Sequence, residues 1–252
     1  MINLLDGERI DYVNDSLKLI QKPSGLTFGT DALLLAGYIS GKYKRGAEFG
    51  SGSGIISMLL LTRDKLDSAL ALEVQSAYAE LTERNAALNS LSDRLMAVTA
   101  DVRDFQTEDT FDIIYTNPPY MTVSGGRANE FTEKNLARHE VMGTIYDFCF
   151  AAKRLLKFGG DFAVVYRPDR LIDLISAMRE CGIEPKRMTF VHADTESEAS
   201  MVLISAKRGG KCGLKLTAPL IIYSDAEHKC YTDDMNYIMD NGVFPDNYLI
   251  KN

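Results

Sequence analysis

The sequence predicts an α/β fold: a mostly parallel seven-stranded sheet with an antiparallel last strand and helices on both faces. Three observations predict it. From about residue 45, short apolar runs alternate with stretches of helical composition, the order that builds a parallel sheet through crossover helices. A glycine-rich turn, Gly50-Ser51-Gly52-Ser53-Gly54, joins the first of these runs to its helix. Finally, Glu73 ends the second run, Asp101 follows the third and Asn117 follows the fourth. That is the carboxyl edge where open α/β sheets bind ligands.

The elements follow in order. Residues 2–22 read as short strands, with Asp6-Gly7 as a hairpin turn between 2–5 and 9–13. Thr30 followed by Asp31 marks a helix start, Thr as cap and the acid in the first turn, and this helix ends near Gly41. Strands are expected at 47–49, 69–73, 95–100, 111–116 and 162–166, and helices at 55–61, 76–89 and 146–157. Gly159-Gly160 is expected to end the last of these helices, and a further helix over 170–181 stops at Gly182. Residues 187–192 and 200–206 carry no helical pattern between them and read as an antiparallel pair.

Composition bounds the class. The chain has 252 residues, 46% apolar and 25% charged, which suits one large globular domain with a small appendage. No run of about 18 apolar residues occurs, so no membrane-spanning helix is expected. The first residues lack a basic-then-apolar leader pattern, so a cytoplasmic protein is the expectation. Cys149, Cys181, Cys212 and Cys230 form no C-x-x-C, and with three histidines they offer no metal-ligand spacing, so no metal is expected. The net charge of −7 speaks against coating a nucleic acid by electrostatics alone. Lys207, Arg208, Lys211 and Lys215 form one local basic cluster, either a solvated loop or a phosphate-contacting ridge. Lys42, Lys44 and Arg45 precede the first strand of the alternating region and fall on the edge away from the ligand.

The residues that carry chemistry stand at the strand ends. Asn117-Pro118-Pro119-Tyr120 directly follows the apolar run 111–116. Asn offers a side-chain carbonyl acceptor. The prolines stiffen the turn and leave its carbonyls free, and Tyr120 offers a flat face. The set suits gripping a planar amide or an exocyclic amine. Glu48-Phe49-Gly50-Ser51-Gly52-Ser53-Gly54 permits close approach of a ligand to the backbone. It is not the dinucleotide fingerprint, whose third glycine would fall at Ile55. Glu73 at a second-strand tip can accept both hydroxyls of a ribose, and Asp101 can accept from an adenine amino group.

This set resembles the Rossmann-like class I S-adenosylmethionine-dependent methyltransferases that modify exocyclic or amide nitrogens. The resemblance implies S-adenosyl-L-methionine as cofactor. Glu48, Gly50, Gly52 and Gly54 would lie against its methionine part, Glu73 on its ribose and Asp101 on its adenine, with Asn117 between cofactor and target. A narrower resemblance rests on the segment 28–36, on Arg138-His139-Glu140 and on Tyr231-Thr232. These look like the tRNA1(Val) adenine-37 N6-methyltransferases, over nearly the whole chain.

That resemblance implies a tRNA substrate, a monomer and no membrane. It adds Thr30 to the cofactor set and places Pro119, Tyr120, Arg138 and His139 on the substrate. Asn117, Pro118 and Tyr120 become the catalytic residues: the Asn117 side-chain carbonyl and the Pro118 backbone carbonyl each accept an N6 hydrogen while Tyr120 stacks on the base. It also divides the chain into an N-terminal β extension (1–28), a methyltransferase domain (29–210) and a C-terminal extension packed on the same domain (211–252). The loop 121–143 is expected on the active-site rim. Methylation of a protein glutamine, or of a base in rRNA or DNA, would use the same clamp.

Overall fold

The computed structural model describes residues 4–21, 29–118 and 143–250. Strands β3 (Tyr43–Phe49), β4 (Leu66–Glu73), β5 (Leu95–Thr99), β6 (Phe111–Thr116), β7 (Leu156–Tyr166), β8 (Ile183–His192) and β9 (Ala199–Arg208) form the main sheet in the order β8-β9-β7-β6-β3-β4-β5. Pairings from β5 across to β7 are parallel, and β9 runs antiparallel to both of its neighbours.

Side chains on these strands alternate between two cores, as period-2 geometry requires. In β6, Ile113 and Tyr115 enter the core formed with α1 (Thr30–Tyr38) and α2 (Ile55–Thr62). Ile114 enters the opposite core, with α4 (Ile145–Leu155) and α5 (Leu171–Glu180). Both faces of the sheet are therefore buried, which explains why its strands read as near-continuous apolar runs. Helix α3 (Ser76–Leu88) connects β4 to β5.

Among the described residues the sheet has nine strands rather than seven. The two-residue strands β10 (Lys215–Leu216) and β11 (Leu220–Ile221) pair in parallel with β8. They occupy hydrogen-bonding groups that an open edge would leave bare, and two residues are too few to show any periodicity. Helix α6 (Asp233–Asn241) follows, and its Met235 and Ile238 join the first core together with Phe244 and Tyr248.

Three local expectations are corrected. The N-terminal hairpin joins β1 (Arg9–Asn14) to β2 (Leu17–Gln21) and turns at Asp15-Ser16; the chain also turns at Asp6-Gly7, where the Glu8 amide donates to the Leu5 carbonyl at 3.0 Å, but Leu4 and Leu5 before it are not strand. Asn14 Oδ1 accepts from the Ser16 amide at 2.9 Å, an Asx turn that closes the hairpin. Gly29, not Thr30, is the N-cap of α1, and Thr30 is already helical; Asp31 Oδ1 accepts from the Ala32 amide at 2.9 Å in that first turn. Helix α4 stops at Leu155, and Gly159-Gly160 lie inside β7. The β6–β7 register shifts there, and Gly159 takes a φ of 79°, which lets the extra residues bulge out of the ladder.

The basic cluster also changes meaning. Because β9 is antiparallel, Lys207 and Arg208 end up at the amino edge of the parallel strands. There Lys207 Nζ meets Asp161 at 2.7 Å and the Gly159 carbonyl at 2.9 Å. Arg45 lies at the same edge, bound to Asp109 at 2.7 Å. The solvated reading holds for Lys207, and the cluster faces away from Asn117.

Candidate active site

Register decides which strand-end residues meet. Phe49 of β3 pairs with Leu72 of β4 and with Thr116 of β6, and Glu73 pairs with Thr99 of β5. Gly50, Glu73 and Asn117 therefore stand at one level, and Asp101 follows two residues past Thr99. Thr116 Oγ1 donates to the Phe49 carbonyl at 2.8 Å and pins the end of β6 to the end of β3. The sequence-predicted acids and the asparagine are thus brought to one edge.

The glycine turn is a chain of left-handed residues, with φ of 67° at Gly50, 54° at Gly52 and 77° at Gly54. The amides of Gly50 and Ser51 both donate to the Leu72 carbonyl, at 2.9 and 3.1 Å, which folds the turn over the tip of β4. A Cβ at Gly54 would stand 2.6 Å from Thr82 Cγ2, whereas one at Gly52 would meet nothing within 4 Å. Gly54 is thus required by packing on α3. Gly52 opens a space above the backbone.

Side chains support this turn from below. Thr82 Oγ1 donates to the Gly52 carbonyl at 2.9 Å, and Asn85 Nδ2 donates to the Ser53 carbonyl at 3.2 Å. Both residues are fully buried on α3. Glu48 is 2% exposed and lies under the turn, where its Oε2 accepts from the Ser57 amide at 3.0 Å and the Ser57 hydroxyl at 2.5 Å. Ser57 Oγ also contacts the Tyr115 hydroxyl at 2.7 Å. Burial pushes the Glu48 carboxyl up to about 8, against the lowering effect of the Ser57 hydrogen bonds. Glu48 holds the start of α2. Thr82, Asn85, Ser57 and Tyr115 were missed by sequence reasoning, because polar residues inside helical and apolar runs carry no spacing signal.

Glu73 is 4% exposed, and its two oxygens accept from the Gly52 amide at 2.9 Å and the Gln75 amide at 3.0 Å. Each oxygen keeps a second lone pair for an incoming hydroxyl. Asp101 is gripped by Arg103, through the backbone amide at 2.9 Å and through Nη2 at 2.5 Å. The Arg103 hydrogen bonds hold the Asp101 carboxyl below its ordinary value. Arg103 had not been anticipated.

Asn117 is the point where the two ends of the chain's signal meet. Its Nδ2 donates to Asp31 Oδ2 at 2.8 Å. A carboxylate can only accept, so the amide nitrogen must face Asp31 and the carbonyl oxygen must point elsewhere. That oxygen, Oδ1, is buried and has no hydrogen-bond partner among the described residues. Sequence reasoning had used Asp31 as a helix-start signal and as part of a resemblance, not as a partner of Asn117. Beside Asp31 a cleft of about 450 Å³ is lined by Gly29, Thr30, Arg167, Ser200 and Met201. Thr30, expected with the cofactor, lines this cleft. Pro118 is buried next to Asn117. Pro119, Tyr120, Arg138, His139 and the loop 121–142 lie outside the described residues.

The donor set fits S-adenosyl-L-methionine. The open space at Gly52 admits a ligand against the backbone. Glu73 offers two fixed carboxylate oxygens for a diol, and the buried Ser51 hydroxyl lacks a partner among the described residues. Among the described residues no group of His, Cys, Asp and Glu could hold a metal ion, and none of their helices is long and apolar enough to cross a membrane.

Comparison with known proteins places the chain among methyltransferases. The chain is 26% identical over 222 residues to a tRNA1(Val) (adenine(37)-N6)-methyltransferase of Phocaeicola vulgatus, covering 88% of this chain and 86% of the relative. It is 28% identical to the protein of that name from Aeromonas hydrophila, covering 73% and 78%. A predicted O-methyltransferase from Agrobacterium tumefaciens shares the fold with a TM-score of 0.68 at 22% identity, covering 85% of this chain and 98% of that one. TYW2 of P. horikoshii, solved with MeSAdo, superposes with a TM-score of 0.57 at 15% identity, covering 82% and 73%. The family model described as the methyltransferase small domain matches residues 24–180. The chain belongs to that family and is an S-adenosyl-L-methionine-dependent methyltransferase.

Proposed function

We propose that this enzyme methylates the exocyclic N6 of an adenine in tRNA, adenine 37 of tRNA1(Val), acting in the cytoplasm as a monomer. One observation carries the choice of nitrogen: the buried Asn117 Oδ1, which has no partner among the described residues. Asp31 locks the amide so that only an acceptor is presented, and an acceptor calls for a substrate that donates. A carbonyl or a carbanion does not meet that demand; a hydroxyl has one hydrogen to give, and an amine or amide NH2 has two, one for Asn117 Oδ1 and one for the Pro118 carbonyl. The names of the relatives support the tRNA adenine.

Bound S-adenosyl-L-methionine supplies an electrophilic methyl group. The chain's own residues prepare the nitrogen. An adenine N6 lone pair is delocalised into the ring and is a poor nucleophile. Acceptance of its two hydrogens by Asn117 Oδ1 and the Pro118 carbonyl favours a pyramidal nitrogen with its lone pair directed outward. This is catalysis by orientation, and no side-chain nucleophile is needed. The methylated amine is acidic and releases its proton to solvent without a strong base. Glu73 and the glycine turn position the cofactor; Tyr120 is assigned to stacking on the extruded base, where an unpaired adenine costs least to extract.

The test is methyl transfer from labelled S-adenosyl-L-methionine to total unmodified tRNA, followed by nucleoside analysis. The expected product is N6-methyladenosine. Cofactor binding with no label in tRNA would overturn the tRNA assignment and move the target to protein glutamine, rRNA or DNA.

A further inference from the structure

Beyond β8 the carboxyl edge carries three stacked rings that the methyl-transfer site does not use. Tyr223 is the middle ring. It stacks with His228 at 4.7 Å between centroids and 17° between planes, and with Tyr231 at 5.4 Å and 27°. Tyr231 is 38% exposed, and the His228 side chain is 42% exposed. These rings lie in the turn that follows β11.

The turn is built to hold them. Asp225 accepts from the amides of Glu227 at 3.0 Å, Lys229 at 3.2 Å and Cys230 at 2.6 Å. Thr232 Oγ1 donates to the Ile221 carbonyl at 2.6 Å and accepts from the Met235 amide, so the residue after Tyr231 closes the turn and caps α6. His228 sits at a φ of +56°, a left-handed conformation that few residues other than glycine adopt, asparagine, aspartate and histidine most often among them. Its Nε2 meets Asp194 Oδ2 at 2.7 Å. Asp194 in turn accepts from the amides of Glu196 and Ser197. This conformation places an exposed ring on Tyr223.

The stack is on the substrate's side of the molecule. Strand β11 runs parallel to β8, which is parallel to β7 and β6, so Tyr223 emerges at the same edge as Asn117. Four strand spacings separate β6 from β11, about 19 Å. The cleft beside Asp31 lies between them. Its Ser200 hydroxyl donates to the Val191 carbonyl at 3.2 Å, and Val191 pairs with Leu220 of β11. One RNA stem-loop can touch both points at once; a single nucleotide cannot.

We propose that the Tyr231–Tyr223–His228 stack is a second docking point that takes an unpaired base of the RNA substrate, separate from the base being methylated. It rests on the RNA reading above. Aromatic faces accept any base, because every base has a π-face. The carboxylates here stay charged: the Cys230 amide holds Asp225, and the His228 ring holds Asp194, below the ordinary carboxylate range, while Lys229 pairs with Glu227. The contact reads stacking rather than phosphate charge.

The test compares Tyr231→Ala, Tyr231→Phe and His228→Gly with the wild-type enzyme on a tRNA stem-loop. Glycine at 228 deletes the ring and relieves the left-handed backbone, which keeps the turn foldable. Tyr231→Ala and His228→Gly are each expected to raise KM and Kd for the RNA about tenfold, with kcat within about twofold. Tyr231→Phe keeps wild-type affinity. The slope of log affinity against log salt is unchanged, because no phosphate contact is lost. Unchanged RNA affinity in both ring-deleting variants overturns the proposal. So does a loss shared equally by kcat and melting temperature, which would make the stack purely structural. If the wild-type enzyme neither binds nor methylates any RNA, the RNA reading itself fails, a result distinct from the other two.

Discussion

On the β4–β5 half of the sheet edge, Glu73 and Asp101 already have protein partners, whereas on the β6 half Asn117 holds a buried carbonyl oxygen with none among the described residues. The acids are fixed by backbone amides and, at Asp101, by a guanidinium, so they are pre-positioned before any ligand arrives. Among the described residues the asparagine side chain is held by Asp31 alone. A buried acceptor left unmade costs about 1–3 kcal/mol, and a substrate that supplies the donor recovers it. Among the described residues the two acids are therefore held by satisfied geometry, whereas Asn117, like the Ser51 hydroxyl in the glycine turn, keeps a buried polar atom open.

The largest expected effect breaks the substrate half. Asn117→Ala should lower kcat by about a hundredfold or more, the scale seen when a directed transition-state hydrogen bond is lost. Calorimetric affinity for S-adenosyl-L-methionine should stay within about threefold. Near-normal turnover in this variant would remove Asn117 from the mechanism.

A smaller effect tests how Asn117 is held. Asp31→Ala leaves the amide free to rotate and should lower kcat about tenfold, while KM changes little. Asp31→Asn still offers a carbonyl to Asn117 Nδ2 and should recover most of the rate. If Asp31→Asn is as slow as Asp31→Ala, Asp31 acts by its charge and not by orienting its neighbour.

The smallest effect concerns the support under the glycine turn. Glu48 is pushed up from 4.5 to about 8 by burial, so the folded state holds its proton more tightly than the unfolded state. Its contribution is fully present below about pH 4.5 and is lost as pH rises through about 8. Glu48→Gln cannot titrate, and its amide oxygen can still accept from Ser57. Denaturant unfolding at pH 5 and pH 9 should show the wild-type enzyme losing stability relative to Glu48→Gln at the higher pH. Parallel behaviour of the two proteins would mean that Glu48 stays ionised in the fold.

Much of this was legible in sequence because it is local. The β–α alternation, the glycine turn and the polar residues closing each strand depend on spacing along the chain. Spacing maps directly onto strand tips when every strand is buried on both faces. The antiparallel 187–206 pair was legible for the same reason, as no helix fits between its strands. Corrected features were those where competing partners lie close in sequence. Asp6-Gly7 does turn the chain, but the paired strands close at Asn14-Asp15-Ser16, where the Asx hydrogen bond of Asn14 holds the turn. Gly159-Gly160 looks like a helix stop and serves as a bulge, because the β6–β7 register demands extra length there.

The sequence by itself determined the order of the elements from about residue 45 to residue 206, the three-residue set Glu73, Asp101 and Asn117 at the sheet edge, and the family. Only the tertiary structure decided the partners. Asp31 reaches Asn117 across 86 residues, Asn85 reaches the turn at Ser53 across 32, and His228 reaches Asp194 across 34. Hydrogen bonds form between groups a few ångströms apart in space. Sheet register and helix packing, which no window of sequence contains, set those distances.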